Sequence, residues 1–193
     1  MTTNDLYLVA ILTIITILTM SFIYYSSRKR EDHLKLQAEK RGGEIRKGGL
    51  FKWTELLIPF QGVQVVIHSE PGGKNRPPKT AAQITLDAPR LPTIRIMRYG
   101  LWQKLLVRFG KERFLSGDDD FDGQWIIEAE DPFFVQKLVT AELKYKLAER
   151  SLRSIVIRIE PQKVYISIPS VPSNEEGYDY FIDTVMLILQ RIL

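Results

Sequence analysis

From Leu6 to Tyr25 the chain reads LYLVAILTIITILTMSFIYY, an apolar stretch with no charged side chain, and Arg28-Lys29-Arg30 follow almost at once. A helix of roughly 20 such residues, rising about 1.5 Å per residue, crosses the ~30 Å hydrocarbon layer of a bilayer and satisfies its own backbone hydrogen bonds there. The pattern predicts a transmembrane anchor bounded by Leu6 and Tyr7 at one end and by Tyr24, Tyr25, Arg28, Lys29 and Arg30 at the other, with the tyrosine rings at headgroup level. A cleaved signal peptide would need a cationic start, a shorter apolar core and a small-residue cleavage site, and MTTND and the exit IYYSS provide none of these. Thr13, Thr16 and Thr19 recur every three residues, and their hydroxyls are expected to bond back to their own helix rather than to a helical partner.

The pattern then turns polar. Ser26 to Arg41 is rich in helix formers, with Arg30, Glu31, Lys35 and Glu39 spaced for pairing along a helix, and Gly42-Gly43 stops it. His33 is expected in solvent. Beyond Gly48-Gly49 the period shortens to two. Trp53–Phe60, Val63–Ser69, Thr80–Asp87, Thr93–Arg98 and Trp125–Glu130 read as strands, and Ser154–Glu160 with Lys163–Ile168 forms the clearest hairpin, turned at Glu160-Pro161-Gln162-Lys163. Three helices interrupt or close the series. Asp131 caps one that starts at Pro132, and Thr140 caps a second that buries Leu143, Leu147 and Tyr145. The third runs from Tyr178 to Leu193 with Phe181, Ile182, Val185, Met186, Leu189 and Ile192 on a broad apolar face.

These elements make an α+β chain: one N-terminal transmembrane helix, then a single domain with a mostly antiparallel sheet, helices on one face and a C-terminal helix. Residues 1–27 are tail and anchor, 28–43 a polar helical linker, and 44–193 the soluble domain. Charge adds direction. All 27 Lys and Arg follow residue 27, and only Asp5 of the 23 acids precedes the apolar run. Such a bias places the N-terminus outside and the domain in the cytoplasm, in a cell inner membrane, as a single-pass protein. The net charge of +4 suits an anionic leaflet but is too small and too spread for a nucleic-acid binder. Without cysteine the chain has neither disulfides nor thiolate chemistry.

Two regions carry candidate contacts. The segment Pro71-Gly72-Gly73-Lys74-Asn75-Arg76-Pro77-Pro78-Lys79 has the composition of a solvated hairpin loop, and Lys74, Arg76 and Lys79 are its cations. In YGLWQKLLVRFGKERF, helical spacing sets Leu101, Trp102, Leu105 and Phe109 against Lys104, Arg108 and Lys111, a pattern shared by core helices and interfacial ones. Trp102, Lys104 and Arg108 are therefore candidate membrane or partner contacts.

The acidic run Ser116-Gly117-Asp118-Asp119-Asp120-Phe121-Asp122-Gly123 is the remaining candidate. Asp118, Asp120, Asp122 and Gly123 match the opening of a calcium loop, but the twelfth position is Ala129 with Glu130 one place late, and a strand follows where a helix should. A turn in which the aspartates cap their own backbone before the strand begins is the better account. Gly117-Asp118 with Phe121-Asp122, the strand behind them, Asp131-Pro132 opening a helix, and Leu138 with Thr140-Ala141-Glu142-Leu143 resemble a group of uncharacterised bacterial single-pass membrane proteins carrying a GDxxFD motif. The resemblance covers residues 117–150 and implies architecture and a bacterial origin. It implies no activity.

No catalytic fingerprint is present, and His33 and His68 fall in different elements. The sequence favours a non-enzymatic, membrane-tethered binding or scaffold module without a cofactor, whose partners are the lipid bilayer or its anionic leaflet and another protein. The alternative is a divalent-metal-dependent enzyme or calcium-binding domain centred on Asp118–Asp122.

Overall fold

The computed structural model describes residues 3–48, 53–70, 72, 77–87, 91–100, 113–149, 152 and 154–193, without the side chains of residues 3–6, 8, 9, 22, 23 and 26. Helix α1 (Thr3–Arg41) leads into strand β1 (Glu44–Arg46), then β2 (Glu55–Phe60), β3 (Val63–Glu70), β4 (Lys79–Thr85) and β5 (Ile94–Arg98). A one-turn helix α2 (Asp119–Asp122), strand β6 (Trp125–Ala129), helices α3 (Pro132–Leu138) and α4 (Ala141–Ala148), strands β7 (Val156–Glu160) and β8 (Lys163–Ile168), and helix α5 (Glu175–Ile192) complete the chain.

Among the described residues eight strands form one antiparallel sheet in the order β1-β2-β3-β4-β8-β7-β5-β6. The first four make a meander. The last four fold on themselves and join it where β8 pairs with β4, with Ala82 opposite Ile166 and Ile84 opposite Val164. Alternation decides which side is buried. Leu56 and Ile58, Val65 and Ile67, Ala82 and Ile84, Ile157 and Ile159, and Ile94 and Ile96 share one core with residues of α1, α3, α4 and α5. The opposite face carries Gln83, Tyr165, Arg158 and Arg95 in register across four strands. The expected α+β class, the antiparallel sheet and the layer of helices are present.

Helix α5 is the core of that layer. Tyr178, Phe181, Ile182, Val185, Ile188 and Leu189 on it are fully buried, and α1, α3 and α4 all touch it. Asn174 caps it by accepting from the Gly177 amide at 3.1 Å. Asp131 caps α3, with Pro132 in the first turn, and Thr140 caps α4. Leu143 and Leu147 are buried as expected, but Tyr145 is 69% exposed, because a residue two places from each falls on the opposite side of a helix.

The transmembrane anchor is corrected. Among the described residues no helix is long and apolar enough to cross a membrane. The side chains of Leu6, Leu8, Val9, Phe22 and Ile23, which the expected span also needs, lie outside the described residues. The single-pass fold element and the inner-membrane location with a cytoplasmic domain rested on that span and lose their support with it.

Candidate functional site

The polar half of α1 is part of the domain. Leu34, Gln37 and Ala38, three and four residues apart and therefore on one face, are buried against β1, β2 and α5. Beside them, α5 presents Glu175, Asp179 and Asp183, one turn apart. Lys40 bonds Glu175 and reaches Asp179 at 3.1 Å. Arg41 reaches Asp179 at 3.0 Å and Asp183 at 2.7 Å. Gln37, with no exposed surface, donates to Asp179 at 3.0 Å. Burial alone would raise the Asp179 pKa, but the bonds from Gln37, Lys40 and Arg41 outweigh it and hold the carboxyl below its usual range. The result is a charge lock that fixes the direction in which α1 leaves the domain.

Two turns further out the chemistry changes. The Arg30 guanidinium stacks over the Trp53 ring at 3.8 Å, and no carboxylate pairs with it among the described residues. The nearby acids Glu31 and Asp32 are drawn instead to Lys35, at 3.2 and 3.6 Å. Burial pushes the Arg30 pKa down. Lys29, Arg30, His33, Trp53 and Pro172 border a cavity of about 350 Å³. His33, expected in solvent, has its Nε2 buried without a hydrogen-bond partner, and so does the hydroxyl of Tyr178, whose ring lies 6.1 Å from that of His33. Burial raises the Tyr178 pKa to about 12, with Arg30 opposing it.

Beyond this root the described apolar side chains of α1 are uncovered. Ile11, Leu12, Ile14, Ile15, Ile17 and Leu18 are each more than half exposed, as are Tyr7, Tyr24 and Tyr25. Ile11, Ile15 and Leu18 align along one side at the spacing of a helix-packing seam. Thr16 and Thr19 donate to the carbonyls of Leu12 and Ile15 at 2.8 and 2.7 Å, so these hydroxyls are satisfied within their own helix.

The acidic run is a capped turn. Asp118 accepts from the Phe121 amide at 3.1 Å and pairs with Lys144 at 3.2 Å, which hold its pKa below the usual range. Asp122, 7% exposed, accepts from the amides of Ser116 and Gly117 at 3.0 and 3.1 Å. These bonds aim the two carboxylates at separate donors, and Asp120 stands exposed. Among the described residues no group of three or more His, Asp or Glu is placed to hold a metal ion. Replacing Asp122 with alanine strands two backbone amides and is expected to cost about 2 kcal/mol, with asparagine intermediate. Excess calcium or magnesium should leave the wild-type melting midpoint unmoved in the same assay; an upward shift would reinstate the metal reading.

Of the predicted contact residues, Lys74, Arg76, Trp102, Lys104 and Arg108 lie outside the described residues. Lys79 is engaged on the sheet's open face. It bonds Glu70 at 2.8 Å and the Tyr165 hydroxyl at 2.6 Å. That hydroxyl in turn donates to Glu70 at 2.8 Å, and His68 Nε2 lies 3.5 Å from the same carboxylate. Burial would raise the Glu70 pKa, but the bonds from Lys79 and Tyr165 keep it low. Sequence reading missed this network and the α1 lock alike. The signal for the lock was present as Glu175, Asp179 and Asp183 at four-residue intervals facing the close of a cationic helix.

No protein-family model and no curated protein matches the chain. Among solved structures it is similar to the crystal structure of the mycobacterial trehalose monomycolate transport factor A, TtfA, at 11% identity and a TM-score of 0.55, over 86% of this chain and 94% of that one. The two chains share a fold.

Proposed function

We propose that this protein is a non-enzymatic binding or scaffold module that engages another protein through the projecting half of α1. The carrying observation is the exposed seam Ile11, Ile15 and Leu18 on a helix whose far end is locked to the domain by Lys40 and Arg41. Large exposed apolar area on a rigid element is costly in water and marks a surface that a partner covers. The seam suits a helix or groove that reads anchors at these intervals. The shared fold with a transport factor is compatible with a binding role.

A photo-crosslinking residue placed in turn at positions 11, 15 and 18 of the full chain in its native cell tests the reading, with position 145 as the exposed control. The expected result is one protein adduct common to the three seam positions and absent at the control. Adducts to lipid alone would make an anionic leaflet the partner instead. No adduct at any seam position would sink the proposal.

A further inference from the structure

The cavity at the root of α1 has the chemistry of an anion site. Arg30 is a half-buried cation without a carboxylate among the described residues, its guanidinium carbon 3.8 Å from the centre of the Trp53 ring. Lys29 adds a second positive charge on the rim of the same space. His33 also lines it, and its Nε2 is buried and unpartnered. Three other partly buried cations are matched by acids: Arg41 by Asp179 and Asp183, Lys144 by Asp118, and Lys79 by Glu70. Arg30 is handled differently, since Glu31 and Asp32 are committed to Lys35. A desolvated guanidinium without a counter-charge and an orphaned imidazole nitrogen on a residue of the same cavity are each costly when unmatched, and an oxyanion bound there answers the charge first. About 350 Å³ accommodates a phosphate with a small organic substituent.

We infer that this cavity is a binding site for a phosphate group, gripped by the Arg30 fork and Lys29 with Trp53 as its apolar wall. A phosphate suits the site better than a carboxylate. Its extra oxygen and greater charge match two cations, and guanidinium offers it paired donors in one plane. The phosphate comes either from a lipid headgroup or from a soluble phosphate ester. The inference is independent of what covers Ile11, Ile15 and Leu18.

The test uses the full chain in a nonionic detergent and reads Trp53 fluorescence, assigned by its loss in Trp53→Phe. Inorganic phosphate and glycerol phosphate are titrated against acetate at matched ionic strength. A parallel series dopes the micelles with phosphatidylglycerol or with uncharged diacylglycerol. The expected result is a saturable change with a phosphate probe, weakened at least tenfold in Arg30→Gln and weakened in Lys29→Gln, and unaltered in Arg28→Gln, whose side chain is exposed and off the cavity. Response to the soluble probes assigns a free ester, and response to phosphatidylglycerol alone assigns a headgroup. Silence with every probe, an equal response to acetate, or unchanged affinity in both Arg30→Gln and Lys29→Gln overturns the site. Lys29→Gln keeps the test open should Arg30→Gln fail to fold.

Discussion

Gly43→Ala is expected to cost about 3 kcal/mol and to lower the melting midpoint by roughly 6–12 °C, while Gly42→Ala next to it costs only about 1 kcal/mol. The two glycines serve different needs. Gly42 ends α1 in the left-handed region, with φ of 62° and open space around the position of a Cβ, so alanine there pays only a conformational penalty. The Gly43 amide closes the helix by donating to Ala38 at 2.8 Å, the reverse-turn bond that follows such a residue. A Cβ on Gly43 would stand 2.5 Å from the Leu57 carbonyl oxygen and 3.3 Å from Ile58. Backbone has no rotamer with which to yield, so β1 must lift from β2 and the buried turn of α1 must move with it. Chemical denaturation of the two variants side by side checks this, and equal losses would show that close approach is not what Gly43 provides.

The same turn shows where the sequence was readable and where it was not. Strands with strict alternation announced themselves: Ile157 and Ile159 against Arg158 and Glu160 place every side chain of β7, and the turn at Pro161-Gln162 follows from the two flanking runs. The Asp131-Pro132 start of α3 was legible because cap and first turn are local chemistry. Strand β1 was not, since Glu44–Arg46 has one partly buried apolar residue and exists because Gly43 lets the chain close on Leu57. The acids of α5 stand one turn apart, a local regularity that marks an acidic face and names no partner for it. Their cationic partners Lys40 and Arg41 stand some 140 residues earlier, and no local period encodes such a pairing. For the same reason Arg30 read as one of three cations flanking an apolar run, whereas its position over Trp53 depends on the sheet.

Asp179→Ala carries the other large effect, a loss of about 2–3 kcal/mol and a fall of roughly 4–12 °C in the melting midpoint. Asp179 is the central acid of the lock, its side chain 29% exposed, and it alone receives Gln37, Lys40 and Arg41 together. Removing it leaves the Gln37 amide buried without its acceptor, although Glu175 and Asp183 still hold the two cations at the rim. Asp179→Asn preserves an acceptor for Gln37 and surrenders the charge, so it should lose about 1 kcal/mol at neutral pH. Acidity separates the two contributions. The folded-state pKa of Asp179 lies below its unfolded value, near 3.8, so its ionic contribution is complete above that value and disappears as pH falls through the lower, folded one. The gap in unfolding free energy between wild type and Asp179→Asn should therefore be constant from pH 5 to 7 and close in stronger acid, whereas the deficit of Asp179→Ala should persist in part because Gln37 remains unpaired. A wild-type to asparagine gap that widened in acid would reverse the sign of the lock. In that case α1 would be held by the packing of Leu34 and Ala38 alone.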